Sequence, residues 1–480
     1  MAFGSASFFN QHAKEIQLLI HKRLAWIVFI PTLLWALSGI MHPFMSHWFK
    51  TRLPQEEYKA EKVPANLTVI EFHHLLKING IDEFNDLHVV TFHGKSYAQI
   101  LDEKGIIYID INTGKRIKKS DENYAQHIAR YITKDLENPV KLTKITAFTS
   151  EYKSVNKYLP VYKVQFDRPD QMDIYVSTAE SKFITFNDLK RKTFIHIFSW
   201  FHTWDFLNFL PSAVTICLML VILLVLFLTA ISGLLIYGLF YKVFVKIEPT
   251  KRDKYRVRHR VLGLSFSFFV FTFALSGAFH VWMKFNPKSS EANVLKDRFS
   301  SEELQSTSTF NLASLNGFGL VHIANKIYAQ HLDTNDLKYR YIDLKNGKEL
   351  KDGHQFYSLQ LLNKFRDLKN QRSTVASITW TTEFTNEYGF INKYLPVMRY
   401  EFNDADRTTY YIDPAAQKLT AEIKQLDRYE GFSFAFLHKF HFLDTLGKNF
   451  RDATLVFFAL GISLTTFLGI RMLKRKKIDS

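Results

Sequence analysis

Four stretches of this 480-residue chain are apolar and free of Asp, Glu, Lys and Arg: Leu24–Met41, Phe206–Tyr241, Val261–Phe279 and Ala453–Ile470. Each has about the 17–25 residues that a helix needs to cross a bilayer core, and the second has length to spare. The pattern predicts four membrane-spanning helices. The first is expected to be a retained anchor, because its apolar run is long and no small-residue cleavage site follows it. Between spans one and two and between spans three and four, over about 43–205 and 283–450, the pattern changes. Short alternating or β-branched runs closed by Asn-Thr-Gly or Asn-Gly turns, as in Tyr108–Ile117 and Tyr341–Leu350, predict hairpins. Apolar positions at helical spacing in Val69–Ile78 and Leu315–Ile327 predict a helix ahead of the strands. Each segment reads as α+β, with a helix followed by antiparallel strands occurring twice.

The chain also matches itself. His21–His42 aligns without a gap on His259–His280, and both stretches carry Ala-Leu-Ser-Gly before the second histidine, at Ala36–Gly39 and Ala274–Gly277. A third histidine recurs at nearly the same offset, His202 with Asp205 answering His441 with Asp444. Between the spans, Asn156–Val161 and Asn392–Val397 both read Asn-Lys-Tyr-Leu-Pro-Val, and the strand-like Tyr162–Phe166 and Met398–Phe402 follow them. The expected fold is therefore an α-helical membrane protein with four transmembrane helices from an internal duplication (2+2), plus two α+β extracytoplasmic regions.

Charge sets the orientation. The net charge of +16 would suggest nucleic acid, but residues 1–23, 241–260 and 471–480 supply +12 of it, with 16 Lys/Arg against 4 Asp/Glu. All three stretches lie on one side of a four-span chain, which the positive-inside rule makes cytoplasmic. The expected layout is a cytoplasmic N-terminus and first helix over 1–42, an outer region over 43–205 and a second helix over 206–241. A basic cytoplasmic loop (242–260), a third helix (261–282), a second outer region (283–450) and a fourth helix with basic tail (451–480) complete it. That is a multi-pass protein of a bacterial inner membrane with both termini cytoplasmic and both large loops periplasmic. The single cysteine, Cys217, lies within the second span, so the outer regions hold together without disulfides and a Cys-x-x-Cys zinc site is excluded.

Helices followed by strands ending in Tyr-Ile-Asp-x-x-x-Gly-Lys hairpins resemble the PepSY domain. Spans carrying Ala-Leu-Ser-Gly-x-x-His and flanking two such regions resemble the PepSY-associated transmembrane family, over nearly the whole chain. That family includes ferric-siderophore reductases that hold haem between their spans. The resemblance implies haem b, two groups of it, and a periplasmic ferric chelate as substrate.

The histidines fit such a role. At a rise of ~1.5 Å per residue, a His-to-His interval of this length spans roughly 31 Å, about one hydrocarbon thickness. His21 and His259 are then expected at the cytoplasmic ends of spans one and three, and His42 and His280 at the outer ends. His202 and His441 lie just ahead of spans two and four. A parallel repeat can turn equivalent histidines toward each other across a bundle, and two facing imidazoles are what a six-coordinate haem iron requires. Gly39 and Gly277, three residues before His42 and His280, share their helix face and leave room for a macrocycle or a neighbouring helix. Asp205 and Asp444 can orient an imidazole through its second nitrogen or cap the following span. His196, His438 and His47 have no aligned partner and read as surface or haem-propionate contacts. Two arrangements stay open. In one, a haem lies between His21 and His259 and another between His42 and His280, and symmetry favours it. In the other, both haems lie near the outer face on combinations of His42, His202, His280 and His441.

No dinucleotide fingerprint, Walker motif, nucleophile elbow or His-Glu-x-x-His is present, so electrons must come from a separate donor, a flavoprotein or a quinol. The expected function is a haem b-containing inner-membrane reductase passing electrons to a periplasmic Fe(III)-siderophore or similar chelate. The competing readings are a non-catalytic PepSY envelope sensor or interaction protein, and a His-lined metal permease. The permease is disfavoured by spans that contain no Asp, Glu, Lys or Arg.

Overall fold

A computed structural model of the protein describes residues 3–63, 70–244, 251–285, 293–294, 296–305, 317–368 and 373–474. Its first half contains α1 (Phe3–Pro43), α2 (Ile70–Ile78), β1 (Glu83–Phe84), β2 (Asp86–Phe92), β3 (Lys95–Asp102), β4 (Gly105–Asp110) and α3 (Ser120–Thr133). These are followed by β5 (Val140–Ile145), β6 (Val161–Phe166), β7 (Asp173–Ser177), β8 (Lys182–Asn187), α4 (Leu189–His202) and α5 (Ser212–Phe244). The second half opens with α6 (Lys251–Met283), β9 (Asn293–Val294), β10 (Phe299–Ser300), β11 (Phe318–Ile323), β12 (Lys326–Asp333), β13 (Lys338–Asp343) and α7 (Gly353–Leu368). It ends with β14 (Val375–Thr381), β15 (Val397–Phe402), β16 (Thr409–Asp413), β17 (Lys418–Ile423), α8 (Gln425–Ser433) and α9 (Lys448–Lys474). Two compact units result. Met1–Lys50, Lys190–Lys288 and Leu426–Ser480 form a helical unit, and Thr51–Leu189 with Ser289–Gln425 form a strand-rich one.

In the helical unit, α1, α5, α6 and α9 are long and apolar enough to cross a membrane. Large apolar side chains stay exposed along all four, among them Ile30, Leu224, Phe268 and Phe467, as expected of surfaces that face lipid rather than water. The second span starts at Ser212 rather than at Phe206, because Asp205–Leu207 is a 3-10 turn and Pro211, which has no N–H to give, sits at the helix start. α1 packs against α5 and α9, and α6 packs against the same two, so α1 and α6 face each other along a diagonal. Small residues permit this: the Phe266 ring of α6 lies where a Cβ at Gly461 of α9 would stand.

In the strand-rich unit the two halves share one sheet, in the order β13-β12-β11-β2-β3-β4. β2 and β11 pair antiparallel at its centre, with Phe318 opposite Val89 and Gly319 opposite His88. This corrects the helix expected over Leu315–Ile327. Residues 315–316 lie outside the described ones, and the remainder is strand β11 and its hairpin to β12. Two glycines decide the outcome. A Cβ on Gly319 would lie 2.6 Å from the His88 ring, and Gly317 has φ +89°, a conformation that suits a strand junction and not a helix. The helix expected over Val69–Ile78 forms from Ile70 to Ile78, and Val69 lies outside the described residues.

Helix α3 packs on β6–β8 in the first half, and α7 packs on β13 and β16 in the second. Between the sheets β5-β6-β7-β8 and β14-β15-β16-β17-β9 lies a core of tyrosines: Tyr152, Tyr158 and Tyr175 from one half, Tyr388, Tyr394 and Tyr411 from the other. The two Asn-Lys-Tyr-Leu-Pro-Val segments meet here, with the Tyr158 and Tyr394 rings stacked at 4.5 Å. Lys157 Nζ donates to Asn392 Oδ1 at 2.7 Å, and Lys418 pairs with Glu180 at 2.7 Å beside both rings. The repeated motif is thus the seam that joins the halves.

Asp86, the first residue of β2, is buried, with His88 Nε2 at 3.0 Å and Lys296 Nζ at 2.5 Å. Burial alone would push its carboxyl up, but the imidazole and the ammonium override it and hold the carboxyl well below the usual carboxylate range. A depressed folded value gives stability that is complete above the unfolded value near 4 and is lost as pH falls below it. Asp86→Asn should therefore lower unfolding stability by about 3–5 kcal/mol at pH 7, the typical cost of breaking a buried pair, and the gap to wild type should narrow below about pH 4. Gly319→Ala should cost about 1–3 kcal/mol through overpacking against a His88 ring that Asp86 holds in place. Thermal unfolding of the full chain across pH tests both.

Candidate functional site

Two pairs of histidines face each other across the helical unit. His21 of α1 and His259 of α6, which lie on the diagonal helices, have ring centroids 6.4 Å apart. His202, the last residue of α4, and His438, the last residue of a π turn that follows α8, are also 6.4 Å apart. The pairs occupy opposite ends of the bundle, since His202 lies against Ser38, about 26 Å along α1 from His21.

The hydrogen bonds make Nδ1 the donor in all four rings. Ser38 Oγ donates to Leu34 O at 2.6 Å, so its lone pairs are left to accept from His202 Nδ1 at 3.0 Å. Ser276 repeats this with Thr272 O at 2.6 Å and His438 Nδ1 at 3.1 Å. Ser232 Oγ donates to Thr229 O at 2.8 Å and accepts from His21 Nδ1 at 2.8 Å. His259 Nδ1 donates to the Thr465 carbonyl at 2.9 Å. Nδ1 therefore carries a proton in each ring, and in the neutral imidazole Nε2 keeps its lone pair, the arrangement of a metal-ligating histidine held through its second nitrogen. Outside the spans, burial pushes His202 down to about 4 and His438 down to about 3, so both are neutral at physiological pH.

Local structure explains why these side chains arrive here. α4 and the α8 segment with its π turn each run fourteen residues to a histidine, and each carries a phenylalanine four positions earlier. Phe198 stacks on His202 at 4.5 Å and Phe434 on His438 at 4.7 Å. Two residues after each histidine the backbone turns left-handed, at Trp204 (φ 58°) and Phe440 (φ 51°), and both rings are buried. Trp204 stacks on Trp35 of α1 at 5.0 Å, and Trp35 donates its indole N–H to the His202 carbonyl at 3.0 Å. Phe440 stacks on Phe273 of α6 at 5.5 Å in the same way.

The counterpart of His202 is thus His438 and not His441. His441 is exposed, and its Nδ1 lies between Asp444 Oδ2 at 2.7 Å and Arg451 at 2.9 Å. The aspartate three residues on, which made His441 resemble His202, does not touch the His202 ring: Asp205 accepts from Thr203 at 2.6 Å while His202 Nδ1 goes to Ser38. The sequence signal that identifies His438 is the Phe-x-x-x-His helical spacing shared by Phe198–His202 and Phe434–His438. His42 and His280 lie four residues beyond Ser38 and Ser276, next to the same phenylalanines. His42 is 6.3 Å from Phe198, and His280 stacks on Phe434 at 4.5 Å and donates from Nδ1 to Glu430 at 2.6 Å. His47 contacts Asn449 at 3.0 Å, and His196 lies beside Trp200.

Two glycines lie against histidine rings. A Cβ at Gly233 of α5 would stand 3.2 Å from His21 Cε1, and one at Gly469 of α9 would stand 3.2 Å from His259 Cε1. Beside Gly39 a Cβ would meet nothing within 4 Å, and beside Gly277 only Leu223 at 3.9 Å. No cluster of three or more His, Cys, Asp or Glu that could hold a metal occurs among the described residues. What the site offers is pairs of neutral imidazoles. Neither a protein-family model nor a curated protein matches the chain.

Proposed function

We propose that the protein is a di-haem b electron-transfer protein of a bacterial inner membrane, built by internal duplication, that reduces a ferric chelate on the outer side. One observation carries the reading: two histidine pairs at opposite ends of the bundle, each with Nδ1 anchored and Nε2 free. Ring centroids 6.4 Å apart would suit two imidazoles that share one metal ion, and both pairs meet that distance. Neighbouring helix axes 8–10 Å apart leave diagonal axes about 13 Å apart, a span that two histidine arms and an ion can bridge. The residues present fit the group: His21 and His259 would hold one haem, and His202 and His438 the other.

A bound haem supplies an iron that changes oxidation state without changing ligands. The chain does the rest. Ser232, Thr465, Ser38 and Ser276 engage the Nδ1 side of each imidazole and so would leave Nε2 to hold the group, while Gly233 and Gly469 let two of the rings lie against α5 and α9. The basic segments 1–23, 241–260 and 471–480 support a cytoplasmic location for the His21–His259 end, although 245–250 and 475–480 lie outside the described residues. Reduction of Fe(III) to Fe(II) weakens the hold of hard oxygen donors, so a siderophore could release iron without bond cleavage. The PepSY resemblance and the strand-rich unit support a periplasmic place for the chelate.

The purified, dithionite-reduced protein should show a b-type haem absorbance spectrum, and its absence would remove the proposal. His21→Ala or His259→Ala should each lower haem content by about half, and His202→Ala or His438→Ala should remove the other half. His441→Ala should keep both haems. Should the His42→Ala/His280→Ala double variant lose a haem while His202→Ala/His438→Ala keeps two, the outer ligands are His42 and His280 instead.

A further inference from the structure

The His259 end has a second feature, on the lipid-facing flank of the bundle. Val257, Arg258, Val261 and Leu262 of α6 and Leu464 and Leu468 of α9 line a groove with a volume of about 310 Å³. Its wall is the turn of α9 that anchors His259: Leu464 and Leu468 face the groove, while the Thr465 carbonyl accepts from His259 Nδ1 and Gly469 lies under its ring. Arg258 adjoins His259 in sequence and is the one polar side chain in the lining.

We propose that this groove binds a membrane hydroquinone and that the quinol is the electron donor to the His21–His259 site. The inference rests on the haem reading of that pair. The volume suits one ring head group, at the lower end of small-molecule pockets. The apolar walls open toward lipid, where an isoprenoid carrier travels and a soluble flavoprotein cannot reach. Arg258 can donate to a quinol oxygen, and a positive guanidinium there favours the phenolate, from which electrons leave more readily. Oxidation balances as loss of two electrons and two protons from the hydroquinone, which becomes quinone. A haem held by His21 and His259 would accept these electrons one at a time across the Thr465 turn, two Fe(III) chelates outside would be reduced per quinol, and the protons leave to water at the same end. An acyl chain would fill the walls but gives Arg258 only a headgroup phosphate and carries no electrons.

The test uses the full chain in lipid vesicles. A photoreactive azido-benzoquinone should label peptides of α6 and α9 around Val261 and Leu464, and excess unlabelled short-chain quinone should compete it away. Val261→Trp and Leu464→Trp, which fill the groove, should each reduce labelling and slow haem reduction by a short-chain benzoquinol at least tenfold. The dithionite-reduced haem spectrum should stay unchanged in both variants. Arg258→Leu should shift the pH profile of quinol oxidation upward, because the phenolate then forms only at higher pH. Labelling elsewhere, or wild-type quinol rates in both groove-filled variants, would overturn the proposal. So would a groove that retains phospholipid and is not competed by quinone. Specific labelling in a protein without any haem spectrum would sink the haem reading and leave the quinone site standing.

Discussion

A buried imidazole has one N–H that must be given to an acceptor, and the nitrogen that gives it leaves a lone pair on the other. This constraint governs the helical unit. Each paired histidine finds its acceptor on a neighbouring element: His21 on α5, His259 on α9, His202 on α1 and His438 on α6. Because α1 and α6 are diagonal and share the same two neighbours, His21 and His259 are each anchored sideways, on α5 and α9, and lie ring to ring across the bundle. Ser38 and Ser276 give their own protons to backbone carbonyls in the preceding turn, which leaves their lone pairs to accept from the rings. The orientation of the pairs therefore follows from ordinary helix chemistry at four positions.

The strand-rich unit answers a different demand. Its halves bury no disulfide and must be joined by packing, which they achieve with a shared sheet and a tyrosine seam. The sheet closes where Gly317 and Gly319 let β11 approach β2, and the seam closes where two copies of one hexapeptide meet through Tyr158 and Tyr394. Lys418 and Glu180 neutralise each other inside that seam, so neither charge is stranded.

Much of this was legible in the sequence because the governing signals are local. Uncharged runs of sufficient length mark the four long helices, and Asn-Thr-Gly and Asn-Gly turns mark the hairpins at Tyr108 and Tyr341. What failed was register and context. Leu315–Ile327 has helical spacing, but its fate was decided by Gly317 and Gly319 against a strand more than 200 residues away. His441 was matched to His202 through an aspartate at the same spacing, yet that aspartate serves neither ring alike: Asp205 serves Thr203, and Asp444 serves His441 and Arg451. Gly233 and Gly469 carry no mark in the sequence because their importance lies in which helix passes beside them, and one span taken alone does not contain that.

The two halves agree where a ring is held and differ at its margins. Ser38 matches Ser276, Phe198 matches Phe434, and the left-handed turns at Trp204 and Phe440 coincide. The stacked pair behind the turn is Trp35–Trp204 in one half and Phe273–Phe440 in the other. Glu430 binds His280, while the residue at its place in α4 is Phe194, which has nothing to offer His42. A stacked pair needs only two flat apolar faces, so tryptophan and phenylalanine both satisfy it, although only Trp35 can also bond the His202 carbonyl. An anchoring hydroxyl has no such substitute. A side chain of the wrong chemistry at Ser38 or Ser276 would leave a buried N–H without an acceptor or swing the ring away from its partner, at a cost of roughly 1–3 kcal/mol. The geometry of the pairs therefore depends on a few polar atoms, and the aromatic shell around them is free to vary in type while keeping its shape.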